Sequence, residues 1–299
     1  MSSRTVRARK TFNRLSLQAV IQSIRLISWV LPYWLAVRLG AALGLCAYFL
    51  LPRDRNRAIS HLGMVYQDQG AAWIRRTARR NFIHLGRSLL ELMVMTPRRL
   101  ERSVRFEGLD NLEHALQQGK GALFYTGHIG NWELLGAAVG RSFPLSAVAV
   151  PIVPENVNDL LLELRARFGI KTILRGRPGA SRELIRIFRE NRILGMLIDQ
   201  DTDVESAFVD FMGRPAWTPT AAASIALKFG AAVLFGYIRR DQDGHHVVTI
   251  EGPLVLTRTG NEEQDIVTNT AQFTRKIEEA VRRYPEQWVW MHRRWRRQP

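Results

Sequence analysis

His128 and Glu133 stand five residues apart in the stretch Leu123-Phe124-Tyr125-Thr126-Gly127-His128-Ile129-Gly130-Asn131-Trp132-Glu133-Leu134-Leu135-Gly136. A histidine with a carboxylate is the pair from which general-base catalysis is built. The imidazole takes a proton near neutral pH, and an acid on its other ring nitrogen fixes the tautomer and stabilises the imidazolium. The apolar run before the pair reads as a buried strand. Gly127 and Gly130 permit a tight turn and close approach of a substrate to the backbone, and Leu134 to Gly140 reads as an apolar helix. Strand, turn and helix deliver groups beyond the carboxyl end of a strand, where open α/β sheets bind ligands. The spacing lets Glu133 fold back onto His128. The same residues also read more plainly, as a helix start capped by Asn131 with Glu133 favoured by the helix dipole.

The elements that must hold this turn follow from the pattern on either side. Residues 1–16 carry Arg4, Arg7, Arg9, Lys10 and Arg14 and no acid, a basic arm. From Leu17 to Leu51 the composition is strongly apolar, interrupted by Arg25, Pro32 and Arg38. The uncharged pieces Leu26–Val37 and Leu39–Pro52 are shorter than the ~20 residues of a spanning helix, and Pro32 should break or kink the element. Two buried core helices would satisfy this pattern; so would a membrane-seated anchor with interfacial aromatics and snorkelling arginines. We take residues 17–97 as a helical, membrane-associated region, with a single span or a re-entrant pair both open. Within it a helix over about Ala71 to Met95 gathers Arg75, Arg76, Arg79 and Arg80 on one face, a solvated surface or a surface for anionic lipid.

After Pro97 the pattern alternates. Strands are predicted over Val104–Glu107, within 121–126, and over Leu145–Val150, Lys171–Leu174, Ile193–Ile198, Ala232–Ile238, His246–Ile250 and Leu254–Leu256. Helices are predicted between them, over Asp110–Gln118 (capped by Asp110 or Asn111), Pro154–Phe168, Ser181–Glu190 and Thr220–Phe229, with Val267–Arg283 closing the chain. Such βα alternation argues an α/β fold with a mainly parallel sheet flanked by helices, one domain over 98–299.

Asp199 and Gln200 end the apolar strand 193–198, again at a carboxyl end. Asp199-Gln200-Asp201-Thr202-Asp203 starts like a calcium loop, but Val204 stands where glycine is required and Asp210 replaces the bidentate glutamate. Gly119-Lys120-Gly121 lacks the rest of a phosphate loop. No metal is assigned. Arg165 on the helix 158–168 suits either a substrate phosphate or a structural pair, and Arg175 and Arg177 around Gly176 suit an anion or a plain surface loop. The ending from Tyr284 to Arg297 is dense in tryptophan and arginine, open to base stacking, an interfacial membrane patch or burial against the domain.

The totals agree with an enzyme-sized core. The chain has 299 residues, 46% apolar and 23% charged, which is globular rather than disordered. Lys+Arg number 43 against 27 Asp+Glu, a net charge of +16 that attracts phosphates and acidic partners. The single Cys46 excludes an internal disulfide and a cysteine-rich zinc site. It lies in the apolar region, and no Gly-x-Ser-x-Gly elbow offers another nucleophile.

Four segments together resemble the lipid A biosynthesis (lauroyl/myristoyl) acyltransferase family. They are Gly-His-Ile-Gly-Asn-Trp-Glu over 127–133, Leu197-Ile198-Asp199-Gln200-Asp201, Phe208 to Thr218, and Pro285-Glu286-Gln287-Trp288 through Arg297. The resemblance runs from about Leu31 to Pro299. It implies a glycerol-3-phosphate-acyltransferase-like fold and a membrane-associated enzyme on the cytoplasmic face of a bacterial inner membrane. Such enzymes move a fatty acyl chain from acyl carrier protein to a hydroxyl of a phosphorylated lipid A precursor. The family's histidine–acid motif falls on His128 and Glu133, and its arginine and aspartate positions on Arg165 and Asp199. Departures are the valine of Val150-Pro151, where many members carry a basic residue, and Met212 within Phe211-Met212-Gly213. These bear on the substrate rather than the reaction, since relatives acylate mannosylated phosphatidylinositol.

The expectation is therefore acyl transfer without a covalent intermediate. His128 is the general base and Glu133 its support, with Asn131, Arg165, Arg175, Asp199 and Gln200 as candidate substrate-binding residues. No cofactor is expected beyond the acyl thioester, carried by acyl carrier protein or coenzyme A, and no nucleic acid. A lysophospholipid acceptor, or a non-catalytic basic protein that binds membranes or nucleic acid, are the alternatives.

Overall fold

The computed structural model describes residues 31–152 and 155–299. The basic arm over 1–16 and the start of the apolar region lie outside the described residues. Seven strands lie side by side in the order β1 (Val104–Glu107), β9 (His246–Glu251), β8 (Ala232–Arg240), β2 (Ala122–Thr126), β5 (Ile193–Leu197), β3 (Leu145–Ala149), β4 (Lys171–Leu174). Every neighbouring pair is parallel except β8 with β9. This is the mainly parallel α/β sheet that the alternation predicts.

All five residues of β2 are buried, the reason its sequence is apolar without alternation. Leu123 and Tyr125 enter one core, with α8 (Ala180–Arg189), α9 (Ala221–Phe229), α10 (Glu262–Arg283) and the C-terminal tryptophans. Ala122 and Phe124 enter the other, with α4 (Pro97–Ser103), α5 (Leu109–Gln117), α6 (Trp132–Ser142) and α7 (Glu155–Arg167). The chain runs from β2 to β3 across a gap that β5 fills later. β2 and β5 are parallel, with Thr126 opposite Leu197. Two residues farther on, His128 and Asp199 leave the sheet side by side.

Three helices precede the sheet: α1 (Tyr33–Leu50), which starts directly after Pro32, α2 (Pro52–Val65) and α3 (Ala71–Val94). α1 and α3 cross with their backbones nearly touching. A Cβ on Gly44 would stand 2.2 Å from the Phe82 carbonyl oxygen, and one on Gly86 2.2 Å from that of Gly40. Small residues four apart permit such an approach. By length and composition α1 is the one helix among the described residues able to cross a membrane. It leaves Trp34, Leu43, Phe49 and Leu50 exposed.

Some local expectations need correction. Leu254–Leu256 is not a strand; only Leu254 N–H bonds to Val233 O, at 2.8 Å. Phe208 to Thr218 instead forms a separate antiparallel hairpin, β6 (Ser206–Asp210) and β7 (Pro215–Pro219), turning at Met212 and Gly213, both with positive φ. α4 was not foreseen. α5 starts after a left-handed Gly108 rather than an Asp110 or Asn111 cap, and the Asn111 amide bonds across to Ile250 O.

Candidate active site

β2 ends at Thr126, and the chain turns through Gly127 to His128. A side chain at 127 would meet Ile277 Cγ2 at 2.9 Å and Asp199 Oδ2 at 3.0 Å, so glycine is what lets the Asp199 carboxylate reach the turn. His128 Nδ1 lies 2.6 Å from Asp199 Oδ1, and the His128 backbone N–H donates to Asp199 Oδ2 at 2.7 Å. Trp288 Nε1 donates to the same Oδ2, at 2.7 Å. Asp199 is 2% exposed. Burial alone would raise its pKa, but the charge of His128 and the N–H donors outweigh it and hold the carboxyl down to about 2. An ionised carboxylate only accepts hydrogen bonds, so Nδ1 is the nitrogen that donates to it and Nε2 is left for another partner. His128 borders a cavity of about 900 Å³, and its ring meets the edge of Trp132 at 4.9 Å between centroids.

The pairing of Glu133 with His128 is therefore corrected. Glu133 accepts both arms of Arg165, Nη2 at 2.6 Å and Nε at 2.9 Å. Burial works against the Arg165 charge, yet the hydrogen bonds and charge of Glu133 hold its pKa above the ordinary value. Glu133 points from the first turn of α6 across to α7, so the five-residue spacing joins two helices instead of closing back on the turn. Asn131 is not a cap either. Its amide donates to Ser88 O at 3.1 Å and to Glu91 Oε2 at 3.0 Å, which ties the turn to α3.

Glu91 is fully buried and is the hub behind the turn. It also binds Arg240 at 2.7 and 3.0 Å, His246 at 2.9 Å and the Tyr33 hydroxyl. Burial opposes its charge, but His246 and Arg240 hold the carboxyl well below the usual range. On the other side of the turn, Gly130 has φ 64° and a Cβ there would stand 1.9 Å from Ile238 O. Gly130 N–H donates to Gln287 O at 2.8 Å, and Ile129 bridges to Trp288.

Asn131, Glu133, Arg165, Arg175 and Gln200 all border the cavity of His128. Asp199 does not; it lies beneath the histidine and meets it rather than a substrate. The walls combine apolar residues such as Leu85, Leu89, Val148 and Leu161 with this polar set, the composition that accepts an amphiphile. A narrow recess of about 60 Å³ continues behind Trp132 and Glu133 between α6 and the sheet, against Leu135, Gly136, Leu145, Ile170 and Gly195.

The C-terminal segment closes the site. Trp288, Trp290 and Trp295 are buried, so burial is the reading of the tail that holds for them. Arg296 and Arg297 pair with the buried Asp201 at 3.1 and 3.6 Å, and Arg297 with Asp203 at 2.9 Å. Sequence reasoning did not give Glu91, His246 or Trp288 a place at the site. Trp288 was visible only as part of the Pro285–Trp288 segment, and no local signal marks the other two.

Over residues 9–297 the chain matches the model of the family described as bacterial lipid A biosynthesis acyltransferase. The chain belongs to that family. It is similar to the phosphatidylinositol mannoside acyltransferase of Mycobacterium tuberculosis, 31% identical over 153 residues, 50% of this chain and 48% of that protein. The match spans about half the length of that relative. Longer matches are to two Escherichia coli proteins. The lipid A biosynthesis palmitoleoyltransferase is 26% identical, covering 91% of this chain and 88% of that one. The lipid A biosynthesis lauroyltransferase is 25% identical, covering 90% and 88%.

Proposed function

We propose that the protein is an O-acyltransferase that moves a fatty acyl chain from a carrier thioester to a hydroxyl of a lipid A precursor. The observation that carries this reading is the His128–Asp199 pair, whose free Nε2 serves a large, mostly apolar cavity. His128 Nε2 takes the proton of the acceptor hydroxyl as its oxygen attacks the thioester carbonyl carbon. Asp199, fixed by three N–H donors, holds the ring in the Nδ1–H tautomer and balances the imidazolium charge. The tetrahedral oxyanion is stabilised by unpaired backbone N–H groups at the start of α6, which has no side-chain cap, and by the nearby Arg165. Collapse breaks the C–S bond, the imidazolium returns its proton to the leaving sulfur, and ester and thiol result. Glu133 acts at one remove, by placing Arg165.

Acyl carrier protein is the donor in this reading, drawn by the +16 net charge, and coenzyme A is the alternative carrier. Residues 98–299 supply the catalytic histidine, α3 adds one wall of its cavity, and 17–97 seat the enzyme on the cytoplasmic face of the inner membrane, with the exposed apolar side chains of α1 as support. The likeness to a phosphatidylinositol mannoside acyltransferase favours a second acceptor, a mannosylated phosphoglycolipid, with the same chemistry.

The test uses detergent-solubilised protein and labelled acyl carrier protein or acyl-CoA. Each donor is offered to a lipid A precursor, a mannosylated phosphatidylinositol and a lysophospholipid, with His128→Ala in parallel. Transfer to the lipid A precursor should be lost in His128→Ala, while folding, followed by circular dichroism, is unchanged. Near wild-type transfer by His128→Ala would overturn the assignment of the base, and transfer to another acceptor alone would replace the substrate.

A further inference from the structure

The arginine face of α3 has no part in this chemistry. At 3.6 residues per turn, Arg79, Arg80, Ile83 and Arg87 lie opposite Leu85, Ser88, Leu89 and Leu92, which border the candidate active cavity. The first group borders a second cavity, of about 840 Å³, completed by Arg239 and Arg240 at the end of β8, Arg283 at the end of α10 and Leu45 of α1. Six arginines thus surround one concavity. Two carboxylates share it, Asp241 and Glu286, and Asp241 already accepts the His245 backbone N–H.

Guanidiniums gathered this closely repel one another unless an anion compensates. Arg240 pairs with Glu91 and Arg239 with Glu107. Among the described residues Arg79, Arg80, Arg87 and Arg283 form no ion pair. Residues 1–30 and 153–154 contain no Asp or Glu, so they supply no carboxylate to it. Arg87 Nε, Arg239 Nη1 and Arg240 Nε are, moreover, buried without a hydrogen-bond partner. Burial, and then the charge of Arg240, push the pKa of Arg87 below its ordinary value. Buried unpaired donors on cations are costly, and a single phosphate, with several acceptor oxygens, answers multiple guanidiniums at once.

We propose that this cavity is a second anion site, separate from the candidate active cavity, that takes the phosphate of an anionic lipid headgroup. The chemistry required is a phosphate. The lipid is favoured as its source by Leu45, which places the site beside α1, the helix that exposes Leu43, Phe49 and Leu50. A phosphate among the arginines would leave its acyl chains along that apolar surface. The site does not depend on the acyl-transfer reading, since binding alone reports it.

The experiment compares full-length protein with two charge-matched variants. Arg79→Gln/Arg283→Gln removes two exposed arginines of the cavity. Arg182→Gln/Arg189→Gln removes two exposed arginines of α8, away from it. Binding is read by flotation with phosphatidylcholine vesicles, with or without phosphatidylglycerol. Thermal unfolding is followed with inorganic phosphate and with sodium chloride at equal ionic strength. Phosphatidylglycerol-dependent binding should fall about 25-fold in the cavity pair, roughly fivefold per arginine, and far less in the α8 pair. Stabilisation by phosphate should be present in the wild type and lost in the cavity pair alone. An equal fall in both pairs would overturn the site in favour of a diffuse field. No response to either probe would also overturn it. A cavity-specific response to inorganic phosphate without preference for phosphatidylglycerol would overturn the lipid as its source.

Discussion

Two carboxylates share at this site what local spacing assigns to one. Asp199, 71 residues from His128, holds the imidazole ring, while Glu133 fixes a guanidinium on the cavity wall. The split is measurable by double-mutant cycles in thermal stability. Glu133→Gln and Arg165→Gln should couple by about 1–3 kcal/mol, and Glu133→Gln and Asp199→Asn by less than about 0.5 kcal/mol; strong coupling of Glu133 to His128 in place of Arg165 would reverse the assignment. Asp199→Asn should lower kcat about a thousandfold, since an amide can donate to Nδ1 and turn the tautomer around. The same variant has a stability signature. The Asp199 pKa is depressed from 3.8 to about 2, so its stabilisation is fully present above pH 4 and is lost as pH falls through 2. The stability difference between wild type and Asp199→Asn should therefore shrink between about pH 4 and pH 2 in acid titrations. The sequence showed both His128 and Asp199 just past a buried strand. What it could not show was that these strands are neighbours, because β5 slots between β2 and β3 only in space.

At the scale of elements, the βα alternation was legible because each strand buried on both faces is a short apolar run and each helix carries its own period. The β6–β7 hairpin was not, because its turn depends on Met212 and Gly213 taking positive φ, with none of the usual hairpin dipeptides. The contact between α1 and α3 was equally hidden, since Gly40 and Gly44 mean little until Gly86 stands against them. That contact predicts a sharp asymmetry along α1. Gly44→Leu would drive a side chain into the Phe82 carbonyl and should destabilise the fold by about 2–3 kcal/mol. Leu43→Ala, one residue away and 55% exposed, should stay within about 0.5 kcal/mol in detergent. Equal effects in thermal unfolding would show that α1 is not seated on α3 in this register. Tyr33 extends the same linkage to the site, because its hydroxyl bonds the carboxylate that also holds Asn131.

Across the whole molecule, the C-terminal segment links the parts. Arg294 is buried and donates to Trp217 O and Thr218 Oγ1 in the hairpin, Arg296 and Arg297 hold the 201–203 loop, and Trp288 reaches Asp199. Trp288→Phe keeps an aromatic ring and removes one donor to a buried carboxylate. It should cost about 1–3 kcal/mol of stability and lower acyl transfer about tenfold, while leaving the secondary structure unchanged by circular dichroism. Unaltered activity would remove Trp288 from the support of the base. The density of tryptophan and arginine in this tail was plain in the sequence, but composition does not say which way such residues face.

The reach of Trp288 to Asp199 also has a meaning in time. The ribosome makes residue 128 first, residue 199 next and residue 288 later still. While α10 is still being made, β2 and the turn that follows it exist, yet the Gln287 carbonyl that clasps Gly130 and the indole that completes the aspartate's shell do not. Contacts this distant along the chain form slowly and late. The aspartate's shell is thus completed by a segment 89 residues farther along the chain, and it forms after the strands that present the site.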